Sequence, residues 1–301
     1  MSALDVTDLF PWKDIRDVTV DGEKMVFIPK VYVKNIVIGG FPAWYICGIQ
    51  KEGYHLHPAF YNNGTPTQNG ILIAKYLSCG SAGDLHSIEN ETVFSSSFSV
   101  AKSSAEAKNI QDGTSDQTGW HLYNIYAHHL LYRLALIEYG APNFTVSYGG
   151  SSDVSFDYHG IIDSARYIWL DGLRAYAQYT NDIPDKYVWC ILNKTQSEEI
   201  MTEVNVGCFY NSSVGDVSGY PVSFINNVDA DYDFGDIFLA GSFIKSYEEK
   251  SLLKRNSTQS LYMQTKTGYN RFAVTRGFGV TLSIYRSTNT DAYYCRLAKF
   301  C

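Results

Sequence analysis

The sequence predicts an α+β domain, on three observations. Short β-branched or aromatic runs bounded by turn residues recur along most of the 301 residues. A single long segment, about 120–139, carries helical periodicity, and the loops between the runs are long. Residues 1–20 read as a lead-in and residues 21–301 as one domain.

The elements follow in order. Asp21-Gly22 is a turn signal between two apolar runs. Met25 to Val33 (MVFIPKVYV) reads as a strand, with Pro29 placing it at an edge or a bulge. Trp44–Cys47 and Ile71–Tyr76 are further strands. Residues 77–118, rich in Ser, Gly, Asn, Thr and Asp, read as a long surface excursion. In the segment 120–139, Leu122, Tyr123, Tyr126, Leu130, Arg133, Leu134 and Ile137 share one face of an amphipathic helix, stopped by Gly140 and Pro142. Tyr158–Ile162 and Ala165–Gly172 follow, the latter ending in an Asp-Gly turn, and Val188–Leu192 is a short strand. Near the end, Phe272–Ile284 and Tyr293–Phe300 flank a loop of Arg, Ser, Thr, Asn and Asp. That pattern reads as a terminal hairpin presenting a polar, tyrosine-edged tip.

Bulk composition narrows the function. Hydrophobic residues make up 45% and charged residues 18%, as in globular domains. A net charge of −7 without a basic run argues against nucleic acid, whose phosphates need clustered Lys and Arg. No apolar run approaches the ~20 residues of a membrane span, and the acidic start lacks a signal peptide's basic and apolar regions. Synthesis in a cytoplasm without membrane insertion is the expectation. Six cysteines without CxxC spacing read as buried thiols rather than zinc ligands or a disulfide framework. Twenty-four Tyr beside many Ser, Gly and Asn match the composition of adaptable binding surfaces, or simply fill a β-rich fold.

Catalytic patterns are missing. There is no GxSxG elbow, no phosphate-binding glycine loop and no dinucleotide fingerprint. His128 and His129 are adjacent on a helix and cannot act as an HExxH pair. His55 and His57 have strand spacing but no recognisable third ligand. Glu138 reads as a buried carboxylate that caps or bridges structure. Asp229, Asp231, Asp233 and Asp236 alternate like a calcium loop, although Ala240 stands where an EF-hand needs Glu. Ca2+ is therefore a candidate ion, with a solvated acidic loop as the alternative. Recognition without enzymatic activity is the reading.

Three segments resemble the C-type lectin fold, in the version shared by formylglycine-generating enzymes and the variable proteins of diversity-generating retroelements. Met25–Asn35 followed by Tyr54–Phe60 (YHLHPAF) resembles the opening of phage tail-fibre and adhesin proteins. His129–Gly140 (HLLYRLALIEYG) resembles their Leu-Tyr-x-Ile-Glu-Tyr helix, and His159–Gly172 their Gly-Asn-x-Trp-Glu-Trp-x-Asp-Gly turn. Arg276–Ser283 and Tyr294–Phe300 are similar to the fold's closing strands.

The resemblance implies that the N- and C-terminal strands pair and that the last hairpin forms the binding face. It places ligand contacts at Tyr269, Asn270, Arg271, Tyr285, Arg286, Ser287, Thr288, Asn289, Asp291 and Tyr293. It further implies a phage virion adhesin at a tail fibre or baseplate tip. The partners would be a bacterial surface protein or glycan, other tail proteins and two further copies in a homotrimer. The alternatives are a structural decoration or collar protein, and a metal-binding, enzyme-like domain. For the last, Cys295 and Cys301 do not match the copper-cysteine spacing, and no His-x3-His-x-Glu set is present. Ala141-Pro142-Asn143 lacks the acid of calcium-dependent sugar-binding lectins.

Overall fold

The computed structural model describes residues 5–38, 41–111, 116–139, 155–164, 167–180, 183–192, 196, 201–204, 217–219, 228–229, 232–233, 263–265, 271–276, 284–288 and 292–301. Strands β1 (Arg16–Val20) and β2 (Glu23–Pro29) pair antiparallel around Asp21-Gly22. Both turn residues are left-handed, with φ of 53° and 83°, as a two-residue hairpin requires. The single strand expected over 25–33 is two. Proline lacks an N–H, so Pro29 ends β2, and β3 (Tyr32–Ile38) departs to pair with β4 (Phe41–Cys47) and β5 (His55–Leu56). Strand β6 (Gly70–Ala74) is buried at every position.

Residues 77–118 are not merely a surface excursion. They contain β7 (Cys79–Ser81), β8 (Asp84–His86), β9 (Ser95–Ser96) and helix α1 (Phe98–Glu106). Phe98, Ala101 and Ala105, one helical face, are buried with Leu85. Of the four buried residues of α1, two are alanines and one is Ser104, which give little hydrophobic signal yet allow close approach.

The helix expected over 120–139 starts five residues later. Trp120–Leu122 is strand β10, and helix α2 spans Ile125–Tyr139. Asn124 caps it: its Oδ1 accepts from the Ala127 N–H at 2.9 Å. Seven consecutive residues, Ile125–Leu131, are buried, so α2 is enclosed rather than amphipathic.

Strands β11 (Ser155–Tyr158) and β12 (Ile161–Ser164) form a hairpin on left-handed His159 and Gly160. Strand β13 (Tyr167–Thr180) runs straight through the expected Asp171-Gly172 turn. The Asp-Gly pair serves a bulge instead: the pairing register shifts between Leu170 and Arg174, and Gly172 has φ 78°. There the Asp171 N–H donates to the Tyr123 carbonyl at 3.0 Å, tying β13 to the start of α2. Next come β14 (Ile183–Leu192), β15 (Met201–Val204), β16 (Val217–Gly219) and β17 (Met263–Thr265). Strands β18 (Arg271–Arg276), β19 (Ile284–Thr288), β20 (Tyr293–Tyr294) and β21 (Leu297–Phe300) complete the order.

Two sheets dominate. The first is antiparallel, in the order β1-β2-β6-β21-β10. The second runs β9-β20-β13-β18-β19-β17-β16, with β14 and then β15 attached to β13. Both ends of the chain therefore contribute to one sheet, but they do not pair. The edge of β2 is taken by β6, and β21 enters between β6 and β10. The expected terminal hairpin is also different. Strands β18 and β19 pair with each other, whereas β21 leaves for the first sheet, and Cys295–Lys299 are buried.

Pleating sends alternate residues of the first sheet to opposite cores. Val26, Ile28, Ile71 and Ile73 pack with α2. Met25, Leu72, Ala74, Trp120, Leu122 and Leu297 pack with α1 and Trp169. Full burial of such aliphatic side chains contributes about 1.5–3 kcal/mol each. The lead-in joins this core through Val6 and Trp12, whose Nε1 donates to the Tyr158 hydroxyl at 3.1 Å. With many strands and two helices among the described residues, the architecture is α+β.

Candidate functional site

The β18–β19 ladder draws together residues far apart in sequence. Arg271 pairs with Thr288, Phe272 with Ser287, Ala273 with Arg286 and Val274 with Tyr285. Directly opposed residues share a sheet face. The register therefore sets Arg271, Arg286 and Thr288 on one face, and Tyr285 and Ser287 on the other with Phe272 and Val274. The expected contacts split between the two faces. Tyr285 also lies opposite Gln264 of β17, so it stands within the sheet and not at a loop tip. Tyr269, Asn270, Asn289 and Asp291 lie outside the described residues; in the chain they adjoin the ladder end where Arg271 meets Thr288.

Tyr293 is half-buried. Its ring stands edge-on to Trp169 with centroids 4.9 Å apart, and its strand pairs with Ser96. It packs against the core that contains Trp169 and the buried face of α1.

Asp229 and Asp233 lie in two short paired strands, Val228–Asp229 and Tyr232–Asp233. Asp229 opposes Tyr232 and Asp233 opposes Val228, so the two acidic positions fall on opposite faces. Asp231 and Asp236 lie outside the described residues. Among the described residues no three His, Cys, Asp or Glu side chains gather as a metal site.

The histidines serve structure. His55 is exposed on β5, whereas His57 is fully buried, so the two do not form a ligand pair. His57 Nδ1 accepts from the Ala59 N–H at 3.1 Å, which puts its ring proton on Nε2, 3.2 Å from His129 Nδ1. Burial first, then His129 and the Arg133 guanidinium, hold His57 well below the usual imidazole range. Burial and Arg133 do the same to His129. Burial and His129 bring His128 down to about 3. His159 Nε2 meets Glu138 Oε2 at 2.9 Å, joining the end of α2 to the β11–β12 turn; Glu138 is the structural bridge expected of it.

Other buried polar groups are also tied down. Glu23 accepts from the Ser87 N–H at 2.5 Å, contacts His86 Nδ1 at 3.0 Å and meets Lys108 Nζ at 2.7 Å. Arg296 donates to the carbonyls of Ala74 (2.6 Å), Lys75 (3.2 Å) and Ile162 (2.9 Å). Burial pushes the Cys295 thiol up to about 12 and the Cys301 thiol up to about 11, so both stay protonated at neutral pH.

One open groove of about 350 Å3 is lined by Asp17, Val18, Thr19, Lys24, Met25, Lys75 and Tyr76. Sequence reading passed over it. Its polar members come from β1, β2 and the residues just after β6, and only strand pairing assembles them. No helix among the described residues is long and apolar enough to cross a membrane. In comparisons with known proteins, no family model matches the chain, and no curated protein is detectably similar to it.

Proposed function

We propose that this protein is a phage virion adhesin with a C-type-lectin-like domain, acting at a tail fibre or baseplate tip as a homotrimer. The end of the β18–β19 ladder grips a bacterial surface protein or glycan. The supporting observation is the Arg271–Thr288 pairing. It sets Arg271 beside Thr288 in a sheet whose strand β13 is rooted in the core through Ile168, Trp169 and Leu170, and tyrosine, arginine, serine and asparagine neighbour both positions in the chain. Guanidinium groups supply fixed forks of donors for carboxylate, phosphate or sugar oxygens, and the flanking tyrosine adds rigid contact area. Several copies on one particle multiply a modest single-site affinity. No enzymatic step is needed, and none is assigned.

The test is binding of purified protein to intact cells of the phage's host, with Arg271 and Arg286 both replaced by Ala. A loss of roughly tenfold or more is expected, since removing anchor residues from an interface costs about 1–2 kcal/mol or more each. Tyr293→Ala should lower the unfolding temperature and leave binding by the folded fraction intact. Unchanged binding by the double arginine variant would refute this surface as the receptor site.

A further inference from the structure

Glu23, the first residue of β2, and Lys108, two residues past α1, form an ion pair that bulk water barely reaches. Their side chains are 2% and 13% exposed, and Lys108 Nζ lies 2.7 Å from Glu23 Oε1. Buried Leu85 and Trp120 stand beside them. Nζ donates to the Leu85 carbonyl at 2.8 Å and lies 5.3 Å from the centre of a Trp120 ring. The next residue fixes the lysine's backbone: the Asn109 side chain donates to the Trp120 carbonyl and accepts from the Trp120 N–H, each at 2.8 Å.

The two carboxylate oxygens of Glu23 have different partners. Oε2 accepts from the Ser87 N–H at 2.5 Å. Oε1 faces both Lys108 Nζ and His86 Nδ1, the latter at 3.0 Å. His86 Nε2 in turn meets Asp84 Oδ1 at 3.0 Å, and the His86 side chain is 35% exposed, so it opens to solvent. Ser87 is itself pinned beside Glu23, since its carbonyl accepts from the Lys24 N–H and its hydroxyl donates to the Lys24 carbonyl. An amine, a carboxyl carbon, a proton carrier and a backbone donor on one carboxyl oxygen are the groups that amide formation needs. In water the free ions outlast an amide because each is well solvated. Enclosure removes that advantage, while the neutral amide has no buried charge to desolvate. Contact within the fold also replaces a chance encounter of the two groups.

We propose that Lys108 and Glu23 join in an isopeptide bond, formed by the folded chain itself. A proton passes from the Lys108 ammonium to Oε1, leaving a neutral amine beside a carboxylic acid. Nζ attacks Cδ, and the carbonyl electron pair moves onto Oε2, where the Ser87 N–H stabilises it. His86 gives its Nδ1 proton to the departing Oε1 and is reprotonated by the surplus proton of Nζ. The Cδ–Oε1 bond breaks, Oε2 regains its double bond, and Oε1 leaves as water. One N–C bond has formed, one C–O bond has broken, and two ammonium protons have left on the oxygen, so no oxidant or further reactant is needed. The remaining Nζ–H can still donate to the Leu85 carbonyl, and Oε2 can still accept from Ser87. The bond closes a covalent loop between positions 85 apart and ties β2 to the end of α1. The inference does not depend on what the β18–β19 ladder binds.

The experiment is mass spectrometry of the full chain, purified as folded protein and then denatured. The expected mass is one water below that of the sequence, and a tryptic digest should contain a branched peptide joining residue 23 to residue 108. Lys108→Arg keeps a cation at the site but lacks the amine, and should show its full sequence mass. In freshly translated chain the bonded fraction should rise with time, and severalfold more slowly in His86→Ala. A wild-type chain of full mass, or a water lost without the branched peptide, would overturn the proposal. That readout is taken on the wild type, so it stands even where a variant fails to fold. Equal rates for the wild type and His86→Ala would overturn the part given to His86.

Discussion

Acid should unfold this protein through three buried imidazoles. His57, His128 and His129 are 0–1% exposed, and all three are held below the ordinary value of 6.5. The unfolded chain binds a proton at each as pH falls through 6.5, while the folded chain does not. Stability is therefore complete above that pH and declines below it, by up to about 1.4 kcal/mol per pH unit per histidine. At pH 5 each accounts for about 2 kcal/mol, and the three together for about 6 kcal/mol. That sum is comparable with the whole stability of an ordinary domain, about 5–15 kcal/mol. His121, lowered to about 4 mainly by burial, adds to the same slope. Urea titrations followed by tryptophan fluorescence between pH 7.5 and pH 5 measure the effect. The His128→Leu variant should lose roughly a quarter to a third of the pH slope. Stability at pH 5 within about 1 kcal/mol of that at pH 7.5 would refute the burial argument, because protonated histidines would then be tolerated in the core.

Two further expectations concern the framework. Replacing Arg296 by Met leaves the Ala74 and Ile162 carbonyls without the guanidinium, while the Lys75 carbonyl keeps the Ile162 N–H, and unfolding by denaturant should show a loss of about 2 kcal/mol or more. Gly70→Ala would place a Cβ 2.1 Å from the Ile28 carbonyl oxygen, within the β2–β6 pairing. The backbone must shift there, and thermal unfolding should occur several degrees lower, as expected for a cost of about 1–3 kcal/mol.

The sequence was legible where signals were local. Asp21-Gly22 marks its hairpin because both residues must be left-handed, and Ile71–Ala74 is apolar enough to read as a strand. Pro29 reads as the mark of an edge or a bulge, yet it closes a strand that has neighbours on both sides and no register shift. Failures arose where tertiary pairing outvoted local pattern. Trp120–Leu122 fit a helical face, yet pairing with Leu297–Lys299 makes them a strand. Asp171-Gly172 is turn chemistry used for a bulge, because β13 continues along β14. Leu85 and the α1 alanines gave no periodic signal within a serine-rich stretch. For the candidate surface, residue types were readable but faces were not. Only the β18–β19 register separates Arg271 and Arg286 from Tyr285 and Ser287.

The position of β21 bears on how the protein is made. The first sheet needs a strand whose neighbour in space was synthesised long before it; the Arg296 guanidinium reaches the Ala74 carbonyl across 222 positions. Until that strand leaves the ribosome, β6 and β10 have an unfilled slot between them, and both cores lie open on that side. Nascent chains should therefore wait, partly collapsed and in need of chaperones, and then close late and cooperatively. A ribosome that stalls before this segment would release a product with no way to finish its first sheet, and such fragments should be cleared rather than accumulate.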